Sequence, residues 1–62
     1  MENRYLTESE VSKLTSISLA TLRNHRSLRR GFSYIKIGKS VRYSLKDIVE
    51  HLEKNKVMVA NN

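Results

Sequence analysis

The fold is decided by residues 6–28, which read LTESEVSKLTSISLATLRNHRSL. Two helix starts lie in this stretch. At the first, Thr7 stands three positions before Glu10, the spacing of a capping box, in which each side chain accepts a hydrogen bond from the other residue's backbone N–H. At the second, Ser18 carries a hydroxyl that favours the N-cap position. The pattern predicts a first helix that starts after Thr7 and ends at about Leu14.

The second predicted helix runs from Leu19 to about Ser27, and only residues 15–17 connect it to the first. A connection of this length is typical of a helix-turn-helix, whose second helix enters the major groove of DNA. If Leu22 faces the core, a turn of about 100° per residue places a small polar set on the opposite face. This set consists of Ala20, Asn24 and Ser27, with Arg23 at its flank. Arg and Asn side chains recognise the edges of guanine and adenine, so this face is a candidate for base contacts. The alternative interpretation is an ordinary solvent-exposed helix face.

After the second helix the hydrophobic pattern changes to alternation, in residues 34–37 and 41–44 around Gly38. This predicts a short β-hairpin with glycine in its turn. Its basic tip makes it a candidate wing, which lies along DNA phosphates or enters the minor groove. The wing residues are Lys39, Ser40 and Arg42. Two alternatives stay open: the hairpin only covers the core, or Arg42 pairs with Asp47 and is structural.

A third helix is predicted from the N-cap Ser44 to about Lys54 or Asn55, because an apolar stripe with helical spacing follows Ser44. The fold class is therefore mostly α with a small β-hairpin, in one domain over residues 1–56. Residues 57–62 form a tail that extends the third helix, pairs as an edge strand or frays. The predicted core consists of Leu6, Val11, Leu14, Ile17, Leu22, Leu28, Phe32, Ile35, Ile37, Val41, Tyr43, Ile48 and Leu52.

Charge is concentrated in one segment of this 62-residue chain, whose net charge is +6. Between Arg23 and Lys46 the sequence has eight basic residues and no acid, whereas the other 38 residues carry four bases and six acids. A solvated basic face is one interpretation. Phosphate binding explains an acid-free stretch of this length better, so nucleic acid is the first expected partner.

Other function classes are disfavoured. A domain this small has little room for a catalytic cleft, so we expect no enzyme and no catalytic residues. His25 and His51 have no cysteine or histidine at ligand spacing, so we expect neither a metal nor another cofactor. No apolar run reaches the roughly 18 residues of a membrane span, and the start lacks the apolar region of a signal peptide. We therefore expect a cytoplasmic location and no membrane partner.

Four motifs follow one another along the chain. They are Leu6-Thr7-x-x-Glu10-Val11, Ile17-Ser18-x-x-Thr21-Leu22-Arg23, Ile37-Gly38-x-x-Val41-Arg42-Tyr43 and Asp47-Ile48. In this order they resemble the excisionase-family DNA-binding domain, a group of small MerR-like winged helix-turn-helix proteins that includes phage excisionases and AlpA-type regulators. The resemblance covers about residues 5–55. It departs at His25, where the family usually has Trp or Tyr, and at Ser33, where it often has Pro.

The resemblance implies sequence-specific binding of double-stranded DNA, with the second helix in the major groove and the wing in the adjacent minor groove. At matching positions it implies phosphate contacts for Ser18 and Thr21, and base-facing positions for Ala20, Arg23 and Asn24. Ser27 joins the predicted base-facing set from its place on the helix. The basic segment adds Arg26, Arg29, Arg30 and Lys36 to the predicted phosphate contacts.

Three functions are compatible with the sequence. The first is an excisionase that binds near attachment sites, bends DNA and steers an integrase towards excision. The second is a small transcriptional regulator of a prophage or mobile element. The third belongs to another class, a protein-interaction module such as an antirepressor. One small reader contacts few base pairs, so we also expect copies to bind neighbouring sites cooperatively through the apolar tail, although a frayed tail and independent binding is the alternative.

Overall fold

Three helices and three short strands follow one another in the computed structural model, which describes residues 3–59. In chain order they are β1 (Tyr5–Leu6), α1 (Glu8–Thr15), α2 (Leu19–Ser27), β2 (Ile35–Ile37), β3 (Ser40–Ser44) and α3 (Leu45–Lys54). The helices, the hairpin of β2 and β3, and their order confirm the predicted winged helix-turn-helix.

Each helix begins directly after the residue whose side chain was expected to cap it. The capping box of α1 is complete: the Glu10 N–H donates to Thr7 Oγ1 at 3.2 Å, and the Thr7 N–H donates to Glu10 Oε1 at 3.0 Å. Ser18 Oγ accepts from the Thr21 N–H at 3.1 Å at the start of α2. Ser44 caps α3 in the same way. Because these signals are local, the sequence predicted the helix starts closely.

The turn between α1 and α2 is held by side chains of α1. Ser16 closes α1 in the left-handed conformation, with φ 60°. Ser12 Oγ donates to the Ile17 carbonyl at 2.6 Å, and Thr15 Oγ1 accepts from the Ile17 N–H at 3.3 Å. The Ile17 side chain packs against the core. Both polar groups of its peptide units are therefore satisfied while its side chain fixes the approach of α2.

The sheet has a strand that the sequence pattern did not predict. β3 is its central strand and pairs antiparallel with β2 on one side and β1 on the other. Two residues are too few to show alternation, which is why β1 was missed. Just before it, the Arg4 carbonyl accepts from the Leu45 N–H at 2.8 Å, and Asn3 Oδ1 accepts from the Lys46 N–H at 3.0 Å. This N-terminal segment therefore satisfies two free N–H groups in the first turn of α3.

The core is smaller than predicted. Its buried apolar residues are Leu6, Val11, Leu22, Phe32, Tyr43 and Ile48, and Ile17, Val41 and Leu45 pack against them partly exposed. Five predicted core residues are exposed instead: Leu14, Leu28, Ile35, Ile37 and Leu52. Each lies at a helix end or on the edge strand of the wing, where the described part of the chain supplies no element to cover it. A domain of this size covers only about 60% of its unfolded surface, so apolar stripes run beyond the core.

Candidate nucleic-acid interface

The outer face of α2 has the orientation that the helical period predicted. Leu22 is 2% exposed and belongs to the core. The predicted base-facing residues Ala20, Arg23, Asn24 and Ser27 are all exposed. Three of these side chains are short, so another molecule can approach the helix backbone closely on this face. Arg23 and Asn24 supply the hydrogen-bonding groups of the face.

The N-terminus of α2 offers backbone donors and two hydroxyls. Ser18 Oγ donates to Thr21 Oγ1 at 2.9 Å, and both residues are exposed. The first N–H groups of a helix point along its axis, and the helix dipole adds positive potential there. This geometry suits an oxygen of a phosphate group.

The first helix contributes an acid that sequence reasoning missed. Glu8 Oε1 accepts from both Nε and Nη2 of Arg23, at 3.1 and 2.7 Å. Its other oxygen, Oε2, accepts from Nη1 of Arg26 at 3.1 Å. One carboxylate thus joins two arginines of α2. The two hydrogen bonds from Arg23, and next the one from Arg26, hold the pKa of the Glu8 carboxyl below its usual value.

Arg26, in turn, is fixed against the sheet. Its Nη1 also donates to the hydroxyl of Tyr43 at 3.3 Å, and its guanidinium carbon lies 5.8 Å from the centre of the Tyr34 ring. Tyr43 is buried in the core at 1% exposure. The predicted phosphate contact Arg26 therefore lies on the inner side of α2, with Nη1 engaged inside the protein. A sequence signal for Glu8 existed: Glu10 closes the capping box, which leaves Glu8 as the free acid of the first turn.

The segment after α2 folds back on the helix in a Schellman motif, with Arg29 in the left-handed conformation at φ 56°. The Arg30 N–H donates to the His25 carbonyl at 2.9 Å, and the Arg29 N–H donates to the Arg26 carbonyl at 3.1 Å. Glycine is the usual residue at this left-handed position. Gly31 follows at φ 81°, and a Cβ there would lie 3.0 Å from His25 Cβ. Arg29 and Arg30 are exposed and line an open concavity of about 460 Å³.

The wing brings its cations next to α1 and α2. Its loop is Gly38-Lys39, and Gly38 has φ 59°, a value that favours glycine at the first loop position of a type II′ turn. One open groove of about 310 Å³ is lined by Lys39, Ser40 and Arg42 together with Thr7, Glu8 and Arg26. A second groove, of about 330 Å³, joins Lys36 and Lys39 to Arg26.

The alternative role of Arg42 is not observed. Its Nη1 donates to the Val41 carbonyl at 2.8 Å, and within residues 3–59 both salt bridges go to Glu8 rather than to Asp47. Arg42 is exposed and its positive charge has no carboxylate partner in that range.

A comparison with family models matches residues 5–56 to a helix-turn-helix domain. The chain belongs to this family. The family includes excisionase-like and AlpA-like domains, which confirms the predicted resemblance. A helix-turn-helix domain indicates DNA binding, and this family is typically non-enzymatic. No significant match was found among curated proteins or among solved structures. In residues 3–59 no helix is long and apolar enough to span a membrane.

Proposed function

We propose that this protein binds double-stranded DNA with sequence preference, with α2 in the major groove and the wing beside it. The supporting observation is the joining of α2 and the wing through shared grooves, both lined by side chains of the acid-free segment between Arg23 and Lys46. A surface with an excess of positive charge that spans a helix and a hairpin fits a DNA groove flanked by two phosphate backbones.

The residues divide by the DNA feature that they contact. Ala20, Arg23, Asn24 and Ser27 face base edges, where Arg23 recognises guanine and Asn24 adenine. Ser18 and Thr21 at the start of α2 contact phosphate, together with Arg29, Arg30 and Lys36. Arg26 contributes its remaining N–H groups to the same backbone. Lys39, Ser40 and Arg42 follow the backbone or enter the minor groove.

The finer role that we favour is that of an excisionase, which binds near an attachment site, bends DNA and acts with an integrase. The motif order that resembles excisionases supports it. Neighbouring copies would contact each other through the tail that starts at Val57, whose described residues 57–59 expose apolar side chains; Ala60 to Asn62 lie outside the described residues. The second candidate, a promoter-binding regulator, uses the same domain, and an adjacent integrase gene together with stimulated excision separates the two. The third candidate, an antirepressor, needs no DNA contact at all.

Binding to DNA is tested by selecting preferred sequences from a random duplex pool and then measuring affinity between about 50 and 200 mM salt. If about six phosphates are neutralised, the log–log slope of affinity against salt is expected near −5. A slope near zero contradicts DNA binding and favours the antirepressor. The contact between copies is tested with DNA fragments that carry one or two selected sites. Each fragment is titrated with the full chain and with a chain ending at Lys56, and the cooperativity of binding is compared.

A further inference from the structure

We propose that Glu8 determines sequence specificity, because it holds the Arg23 guanidinium with one edge occupied and the other presented to a guanine. This inference rests on the proposed DNA binding through α2. Glu8 lies on α1, outside the predicted base-facing set, and its position follows from the packing of α1 against α2.

The geometry of the guanidinium carries the argument. A guanidinium has a side edge, made of Nε–H and one Nη2–H, and an end edge, made of Nη1–H and the other Nη2–H. Glu8 Oε1 occupies the side edge of Arg23, with N–O distances of 3.1 and 2.7 Å. The end edge has no hydrogen-bond partner within residues 3–59. Two parallel N–H groups are what the O6 and N7 acceptors of guanine require.

The carboxylate is itself anchored to the core, which makes it a firm support. Oε2 of Glu8 accepts from Arg26, and Arg26 donates to the hydroxyl of the buried Tyr43. These linked residues become more exposed with distance from the core. Tyr43 is 1% exposed, the side chains of Arg26 and Glu8 are each 24% exposed, and the side chain of Arg23 is 57% exposed. A recognition arginine held by packed neighbours loses less rotamer freedom on binding than a free one.

An acid beside a DNA-binding helix also acts against the wrong partner. Glu8 lines the same groove as Lys39 and Arg42, so its negative charge faces the space where a phosphate would lie. It therefore weakens attraction to any backbone, and it removes from Arg23 the side edge with which the arginine could grip a phosphate. Specificity is a difference between two affinities, and Glu8 increases this difference through Arg23, because it favours the guanine contact and withholds the side edge from a phosphate.

The test measures affinity for a selected duplex and for a random duplex with full-length variants, after melting curves establish that each variant folds. Glu8→Gln removes the charge at constant length. We expect its affinity for random DNA to rise about two- to fivefold and the ratio of selected to random affinity to fall about tenfold. Glu53→Gln, on the exposed face of α3, makes the same change in net charge, and its ratio is expected to stay at the wild-type value.

Two further variants separate positioning from charge and from folding. Glu8→Asp keeps the charge but shortens the reach to Arg23, so the ratio should fall, while affinity for random DNA should rise less than in Glu8→Gln because the negative charge remains. In an Arg23→Ala background, Glu8→Gln should leave the ratio unaltered, because the arginine that it positions is gone. A wild-type ratio in Glu8→Asp, or an equal rise on both duplexes in Glu8→Gln, overturns the inference. A wild-type protein without salt-dependent DNA binding overturns the proposed function instead.

Discussion

The second helix, α2, and the wing both carry positive charge, but the surroundings of these charges differ. Arg23 and Arg26 of α2 are joined through Glu8, whereas Lys39 and Arg42 of the wing have no carboxylate partner within residues 3–59. A base contact requires atoms held to within about 0.5 Å, while a phosphate attracts a cation over a screening length of about 8–10 Å. From this difference we propose that the fixed Arg23 reads the base sequence, whereas the free charges of the wing supply affinity for phosphate.

The comparison holds only if α2 is fixed to the core, and Leu22 is the side chain that fixes it. Leu22→Ala should lower the free energy of unfolding by about 2–5 kcal/mol, because it leaves a cavity in a core of few residues. Thermal or urea unfolding measures the loss, and most of the population should be unfolded at ambient temperature.

Leu28→Ala is the matched control for this change. It removes the same atoms one residue past α2, but its side chain is exposed, so the expected loss is below about 1 kcal/mol. Equal losses in the two variants would contradict the register of α2 and, with it, the assignment of its outer face.

The second way to sharpen the comparison is to remove one cation from each region. Arg23→Ala should cost about 1–3 kcal/mol on a selected duplex and clearly less on a random one. Lys39→Ala should weaken binding to both duplexes equally and reduce the magnitude of the salt slope by about 1. Fluorescence anisotropy titrations of both duplexes at several salt concentrations measure both quantities. Equal losses on both duplexes for Arg23→Ala would make Arg23 another phosphate contact and remove the distinction between helix and wing.

The two regions also differ in how far the sequence predicted them. The start of α2 and the tip of the wing follow from local signals, the Ser18 cap and Gly38, and both are confirmed. The support of Arg23 was missed because Glu8 is 15 residues away, and only the packing of α1 on α2 brings the two together. Too many apolar residues were assigned to the core for a related reason. Periodicity shows which side of a helix or strand faces inward, but it does not show where the neighbouring element that covers this side ends. Ile37, which is 72% exposed on the edge strand of the wing, is the clearest case.

The smallest expected effect concerns Arg29, which lies between the two regions and combines strain with charge. It occupies the left-handed position of the Schellman motif that ends α2, with φ 56°. A residue with a side chain costs about 1 kcal/mol in this conformation, and glycine avoids that cost. Arg29→Gly should therefore stabilise the fold by up to about 1 kcal/mol in urea unfolding. The same change removes a predicted phosphate contact, so affinity for all duplexes should fall and the magnitude of the salt slope should decrease by about 1.

Arg30→Gly is the control that separates the two effects of this substitution. Arg30 is the next residue and is equally exposed, but its φ is not positive, so glycine there brings no relief of strain. It should lose DNA affinity as Arg29→Gly does, while stability stays level or decreases, because glycine adds freedom to the unfolded chain. If Arg29→Gly is more stable and binds DNA as tightly as the wild type, Arg29 contributes nothing to the interface. If both variants lose affinity and only Arg29→Gly gains stability, Arg29 combines backbone strain with a phosphate contact. The charges that supply affinity then lie at the end of α2 as well as on the wing.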